Sequence, residues 1–215
     1  MSYSVKEIYY TLQGEGAYSG RPVVFCRFTG CNLWSGREGD RASAVCQFCD
    51  TDFIGTNGPR GGVYPSAEHL SRVIDDCWPI RKEDDCTGRK MVVFTGGEPL
   101  LQLNSDLVDA LHALSFAVAI ETNGTQLPPA GIDWICVSPK ANAPLVLTTG
   151  DELKLVYPQV GVDPTRFSAL SFHRFFLQPM DGPSLEENTQ LAVRYCLEHP
   201  RWELSLQAHK MIGLP

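Results

Sequence analysis

Residues 90–114 read KMVVFTGGEPLLQLNSDLVDALHAL. Lys90 to Thr95 is a short apolar run rich in β-branched residues and predicts a buried strand. Gly96-Gly97-Glu98-Pro99 breaks that run, and a helix is expected from there to about Leu114. The same strand character recurs outward along the chain. Pro22 to Thr29 (PVVFCRFT) lies before this unit. After it come Phe116 to Glu121 (FAVAIE), Asp133 to Ser138 (DWICVS), Glu152 to Tyr157 (ELKLVY) and Phe172 to Gln178 (FHRFFLQ). Ser66 is the expected N-cap of a helix, SAEHLSRVIDDCW, with Pro79 beyond its end. Ser184 and Glu187 read as a capping box for a helix to about His199. Trp202 to Gln207 reads as a last strand before a short tail, AHKMIGLP.

Apolar strands alternating with helices predict an α/β fold with a mainly parallel sheet. Ligands in such folds gather at the carboxyl ends of the strands. Polar and glycine-rich groups fall there repeatedly: Cys31, Gly96-Gly97-Glu98, Glu121-Thr122-Asn123, Ser138 and Lys140, Gln178 and Asp181. At 215 residues the chain is short for eight strand–helix units. The expected architecture is therefore an incomplete, open parallel β/α barrel of about six strands. It forms one domain over residues 1–215, with an extended loop at about 30–62. No internal repeat, low-complexity tract or linker is visible.

With 43% hydrophobic and 20% charged residues the composition is that of a soluble globular protein. A net charge of -7 argues against a general nucleic-acid binder, which needs a basic surface. The start, MSYSVKEIYY, lacks a secretory signal pattern. No run of about 18 apolar residues predicts a membrane span. A cytoplasmic location is expected, where thiols stay reduced. Eight cysteines then need another reading. Cys31, Cys46 and Cys49 crowd one loop as C-x14-C-x2-C, whereas Cys26, Cys77, Cys86, Cys136 and Cys196 scatter and read as structural or incidental.

Three thiolates on one loop suit three irons of a cubane cluster, with the fourth iron left for a ligand. A structural zinc site is the alternative. It usually needs four protein ligands, and no fourth Cys or His lies suitably near. Gly96 and Gly97 let a ligand approach the backbone closely. Free N–H groups and the Glu98 carboxylate suit the amino end of an amino acid. A plain strand-to-helix turn accounts for the motif equally well when it is taken alone.

Together the two motifs resemble the radical S-adenosylmethionine superfamily. There, three cysteines bind a 4Fe-4S cluster and a Gly-Gly-Glu motif binds the cofactor's methionine amino group. The usual spacing is C-x3-C-x2-C, so the present gap inserts 11 residues, approximately Ser35 to Val45. Thr29-Gly30-Cys31-Asn32-Leu33-Trp34 and Cys49-Asp50-Thr51 are similar to one subfamily, the 7-carboxy-7-deazaguanine synthases. The likeness extends over essentially the whole chain.

The resemblance implies conversion of 6-carboxy-5,6,7,8-tetrahydropterin to 7-carboxy-7-deazaguanine with loss of ammonia, on the route to deazapurines such as queuosine. S-adenosylmethionine would be used catalytically. It implies substrate contacts at Leu12, Gln13, Gly14, Glu15, Arg27 and Thr95. Arg27 would pair with the substrate carboxylate, and Thr51 would hold Mg2+. S-adenosylmethionine contacts are implied at Gln47, Phe48, Cys49, Gly96, Gly97, Glu98, Glu121, Asn123, Ser138, Pro139, Lys140, Gln178 and Asp181. A homodimer, and a flavodoxin or ferredoxin as electron donor, are implied as partners. Met211 to Pro215 ends apolar, and a fold-back of Pro215 into the site is a further expectation.

Each residue has a plainer reading. Arg27 could face solvent, Gln13 to Glu15 could be a simple turn, and Glu121 and Asp181 could be satisfied structural carboxylates. Lys140 could be a surface residue. His173 and His209 read as structural or surface groups rather than ligands. Rival functions are a glycyl-radical activase, which shares the cluster but acts on a protein, and a zinc-stabilised binding module without catalysis.

Overall fold

The structure, a computed structural model, describes residues 1–79 and 89–215. Cys86 lies outside the described residues. The strands are β1 (Tyr3–Leu12), β2 (Pro22–Phe28), β3 (Gly62–Tyr64), β4 (Lys90–Gly96), β5 (Phe116–Thr122), β6 (Trp134–Val137), β7 (Thr149–Tyr157), β8 (Ser171–Pro179) and β9 (Trp202–Leu204). The helices are α1 (Ala67–Asp75), α2 (Ser105–Ala113), α3 (Leu185–Glu198) and α4 (Ala208–Ile212). Among the described residues these nine strands form one sheet in the order β3-β1-β2-β4-β5-β6-β7-β8-β9. From β2 across to β9 the pairs are parallel. Only β1 and β3, at one edge, pair antiparallel.

The expectation of about six strands is thus too low, although the parallel core is as read. The added strands β1 and β3 lie outside that core, and β9 forms as a short strand over Trp202–Leu204. The helix expected straight after Pro99 is a 3-10 turn, Pro99–Leu101, followed by α2. The reason is local: Asn104 Oδ1 accepts from Leu107 N at 3.2 Å and restarts the helix there. Ser66 caps α1 as expected, accepting from His69 N at 3.2 Å. The capping box at Ser184 does not form; Ser184 precedes α3 without a side-chain cap bond. The expected tail contains α4, closed by Gly213 in the left-handed region at φ 70°.

Strand parity divides the sheet into two faces. Val24, Cys26, Phe28, Val92, Phe94, Val118 and Ile120 pack with Leu70, Ile74, Leu107 and Leu111 of α1 and α2. Further along, Leu153, Leu155, Phe175 and Leu177 pack with Ala192 of α3 and Trp202. The alternate residues look the other way. Near the strand starts they are apolar: Val23, Phe25, Met91, Val93, Ala117 and Ala119. Near the strand ends they are polar: Arg27, Thr95, Glu121, Lys154 and Gln178. A register shift between Val5 and Glu7 in β1 turns both Lys6 and Glu7 to this inner face, while Val5 and Ile8 stay in the helix-side core.

One carboxylate ties the helix layer to the sheet. Asp133 accepts from Val118 N at 2.8 Å and faces His112 Nε2 at 2.9 Å and Arg89 at 3.0 Å. Burial alone would raise its pKa, but the Val118 N–H, His112 and Arg89 outweigh burial and hold it below the usual Asp value. A depressed carboxyl pKa contributes stability that is present above the unfolded-state value and lost as pH falls through the folded-state value. Asp133→Asn is expected to lower the unfolding free energy by about 1–3 kcal/mol at neutral pH. Urea unfolding across the acid range should show that difference shrink as pH falls. A gap that stays constant would contradict the account.

Candidate active site

The polar ends of the inner face surround a cavity of about 380 Å³. Of the site residues expected from the sequence, all but Cys31, Gln47, Glu98 and Pro139 line it. The first wall is the cysteine loop, which brings in Cys46, Phe48, Cys49 and Thr51. The glycine turn after β4 adds Thr95, Gly96 and Gly97. The ends of β5 to β8 add Glu121, Asn123, Ser138, Lys140, Gln178 and Asp181. The β1–β2 connection brings Leu12 to Glu15, β2 brings Arg27, and Pro215 reaches the rim.

The glycine turn fits against the start of the cysteine loop at backbone distance. A Cβ on Gly97 would lie 2.0 Å from Gly30 O and 2.7 Å from Cys31 Cβ, and one on Gly96 would lie 2.3 Å from Phe28 O. Cys31 therefore sits directly behind Gly97 rather than on the cavity wall. Burial raises the Cys31 thiol pKa, and Glu98 and Cys49 add to the rise. Burial also raises Cys46, against the pull of the Lys140 ammonium. Lys140 donates to Ser138 O at 2.8 Å and Ser138 Oγ at 2.7 Å. It is neither a surface residue nor exposed, and burial pushes its pKa down.

Three of the expected cofactor contacts, Glu98, Gln47 and Pro139, stand off the cavity wall. Glu98 is fully buried, and its carboxylate is taken up inside the protein. Oε1 accepts from Leu100 N at 3.0 Å and Thr122 Oγ1 at 2.7 Å, and Oε2 accepts from Asn123 N at 2.8 Å. The residues of this motif that line the cavity are Gly96 and Gly97. Gln47 turns outward and donates to Ala42 O at 2.9 Å. Pro139 is buried and its carbonyl accepts from Gln159 Nε2 at 3.2 Å.

The deep end of the cavity is a charged cluster. Lys154 lies on the inner face of β7, with only 5% of its side chain exposed. It pairs with Glu15 and stands 3.6 Å from Glu121. Gln13 Nε2 donates to Glu121 Oε1 at 3.0 Å, and Gln13 Oε1 accepts from Glu15 N at 3.1 Å. Burial alone would raise the Glu15 pKa, but Lys154, Gln207 and His209 outweigh it and hold the carboxyl low. Burial alone would lower Lys154, but Glu121 and Glu15 outweigh it and hold the ammonium charged. Arg27 stands on the β2 wall. Its Nε donates to Glu7 Oε1 at 2.9 Å and its Nη2 to Tyr9 Oη at 3.3 Å.

Several lining residues had no sequence signal strong enough to single them out. Lys154 is the middle of an apolar strand, ELKLVY, where an isolated lysine is itself a signal. His209, set aside as structural, packs on Gly14: a Cβ there would meet His209 Nδ1 at 2.1 Å. Lys210 bridges Asp50 and Asp181, at 2.6 Å to each. His173 is exposed, as expected. Cys26, Cys77, Cys136 and Cys196 are free thiols in or beside the core.

The donor chemistry fits an iron–sulfur cluster. Among the described residues, no three or more His, Cys, Asp or Glu side chains converge as ligands of a single ion do. Cys31, Cys46 and Cys49 offer three thiols on one loop, a donor set that suits three irons of a cubane cluster. The open backbone at Gly96 and Gly97 beside these thiols suits a ligand that reaches both. Thr51 offers one hard oxygen to the same space, in keeping with magnesium, which takes few protein ligands. Among the described residues no helix is long and apolar enough to cross a membrane.

No family model matches the chain. It is 60% identical over 215 residues, the whole of both chains, to the 7-carboxy-7-deazaguanine synthase of Caulobacter vibrioides. It is likewise 60% identical over 215 residues, again the whole of both chains, to the protein of that name from Bordetella pertussis. The crystal structure of QueE from Escherichia coli matches with a TM-score of 0.73 at 27% identity, covering 97% of this chain and 95% of that one. Identity of this order along the full length, with a matching mixed α/β fold, decides the assignment: the chain belongs to the 7-carboxy-7-deazaguanine synthase family, and it is an enzyme.

Proposed function

We propose that residues 1–215, acting as one incomplete-barrel domain, convert 6-carboxy-5,6,7,8-tetrahydropterin to 7-carboxy-7-deazaguanine with loss of ammonia. The observation that carries this reading is the meeting of Cys46, Cys49, Gly96, Gly97 and the Glu15–Lys154–Glu121 cluster on one cavity. Cys31, Cys46 and Cys49 would hold a 4Fe-4S cluster. Gly96, Gly97, Asn123, Ser138, Lys140, Gln178 and Asp181 would hold S-adenosylmethionine. Bound there, the cluster and S-adenosylmethionine would supply reductive radical chemistry at the substrate's C6. Mg2+ at Thr51, a homodimer and a flavodoxin or ferredoxin donor rest on the family resemblance.

The chain's own residues bind, orient and exclude water. Arg27 keeps part of its guanidinium for a carboxylate: among the described residues only Nε and Nη2 are engaged. Glu15, whose carboxyl Lys154 holds low against burial, and Glu121, 3.6 Å from the same ammonium, present acceptor oxygens together. They match the N–H donors of a pterin's amino-pyrimidinone edge, so Glu121, expected as a cofactor contact, is read here toward the substrate. Gln13 holds the Glu121 carboxylate through Nε2 and the Glu15 backbone N–H through Oε1. The apolar strand starts beneath, together with Phe48, Val156 and Met180 at the wall, keep the reacting centre away from bulk water.

Anaerobic turnover tests the reading. Protein reconstituted with iron and sulfide should form the carboxydeazaguanine from S-adenosylmethionine, a reductant, magnesium and the carboxytetrahydropterin, followed by mass spectrometry. Absence of cofactor cleavage by protein with a reduced 4Fe-4S cluster would reject it. Lys154→Met leaves two carboxylates without their ammonium and should raise KM by about tenfold or more. The loss should be larger at low pH, where Glu15, no longer held low by the ammonium, protonates first, and a pH-independent KM would reject that role. Gly97→Ala forces the turn off Gly30 and should abolish cofactor cleavage while leaving far-UV circular dichroism unchanged.

A further inference from the structure

The residues between Cys31 and Cys46 have no part in the chemistry above. They form a closed unit of their own. Val45 N and Cys46 N both donate to Leu33 O, at 3.1 Å and 3.2 Å, so the loop returns to its own start. Ser35 Oγ donates to Asp40 Oδ2 at 2.7 Å, and Trp34 Nε1 donates to Arg37 O at 3.2 Å. Trp34 is buried and meets Phe53 edge-on, with ring centroids 5.6 Å apart. The inserted 3-10 segment, Glu38–Ser43, lies over this base.

Arg41 is the residue the segment delivers. Its guanidinium carbon stands 4.1 Å from the Trp34 ring centroid. Its Nη1 donates to Gln47 O at 3.0 Å and to Cys49 O at 3.1 Å. Its Nε faces both Glu38 carboxylate oxygens at 2.9 Å. The carbonyls of Gln47 and Cys49 lie in irregular backbone, where no strand or helix ladder supplies donors. A planar guanidinium can stack on an indole and bridge two carbonyls at once; a lysine ammonium has no plane to stack and no fixed fork.

We infer that Arg41 is a positioning residue that fixes the Cys46–Cys49 backbone in its ligand-presenting form, and that the inserted segment exists to deliver it. This rests on the reading that Cys31, Cys46 and Cys49 hold the cluster. Glu38, whose side chain is 78% exposed, is solvated and does not cancel the charge that Arg41 brings to the carbonyls. With Arg41 gone, two carbonyls beside a cluster ligand lose their shared donor, and Cys46 and Cys49 sample more than one spacing.

The test compares wild type, Arg41→Ala, Arg41→Lys and Arg37→Ala, reconstituted anaerobically. Iron and acid-labile sulfide per chain are followed during incubation with a chelator, and the reduced proteins are examined by electron paramagnetic resonance. Arg41→Ala should lose its cluster roughly tenfold faster than wild type, with a broadened spectrum. Arg41→Lys should fall between the two, Arg37→Ala should match wild type, and the melting of cluster-free Arg41→Ala should match that of cluster-free wild type. Wild-type retention and an unchanged spectrum in Arg41→Ala would overturn the inference, as would equal loss in Arg37→Ala. Should Arg41→Ala melt early, Arg41→Lys decides alone: wild-type retention by it overturns the bridging role. A wild-type protein that takes up no acid-labile sulfide would instead overturn the cluster reading beneath it.

Discussion

The site depends on a backbone contact between the end of β2 and the turn after β4. Gly30 O accepts from Glu98 N at 2.9 Å, with Gly97 pressed between them. Parallel pairing of Phe28 with Gly96 sets the two strand ends level, and only residues without a Cβ allow them to close further. The buried Glu98 carboxylate then carries the contact across to β5 by binding Thr122 and Asn123. Asn123 Nδ2 donates to Asn32 Oδ1 at 3.0 Å, and Asn32 Nδ2 donates to Thr125 Oγ1 at 2.8 Å. The circuit returns to the cysteine loop one residue past Cys31. A buried carboxylate with three donors is stable where a lone one would not be. Glu98 therefore serves the site by fixing its frame, and the frame decides where a ligand can touch the glycines.

A second constraint is electrostatic. A polar inner face is costly unless its charges are paired, and removing one partner of a buried pair costs more than the pair contributes. Lys154 meets that requirement for Glu15 and Glu121, just as Glu7 does for Arg27. The acidic cluster sits at the ends of β5 and β7 and the arginine on β2. A ligand spanning the cavity thus meets acceptors on one side and a donor fork on the other. This polarity is set by strand parity: shifting β7 by one residue would turn Lys154 to the apolar helix side and expel Leu153 and Leu155 from it to the polar inner face.

The parallel core was legible because its strands are compact apolar runs ending in Gly, Asn or Pro. The cysteine array and the glycine turn were legible because spacing and residue type carry their chemistry. β1 was not, because the bulge at Lys6 and Glu7 breaks the alternation of YSVKEIYYTL and leaves no clean period of two. β3 is three residues long and exists only through its pairing with Tyr3 to Val5. The inward turn of Glu98 was hidden because a Gly-Gly-Glu turn reads the same whether its carboxylate faces a ligand or Asn123. Lys154, His209 and Lys210 are site residues only by tertiary placement, from strands and a helix far from the motifs in sequence.

The last of these placements shows how the cavity is finished. α4 returns across the mouth and touches three separate parts of the site. Ala208 N donates to Gly14 O at 2.9 Å. Gln207 Nε2 donates to Glu15 Oε1 at 3.0 Å and to Asp50 Oδ2 at 3.2 Å. Lys210 spans Asp50, next to Cys49, and Asp181 beyond β8. These pairs are part-exposed, and exposed ion pairs are screened by salt and individually weak. The cavity is thus built in two grades. Its floor and its cluster side are held by backbone contacts and saturated buried groups, which do not adjust. Its mouth is held by a short helix through one backbone bond to Gly14 and otherwise through side-chain bonds that water can replace, so the rigid part sets the frame and the weaker part covers it.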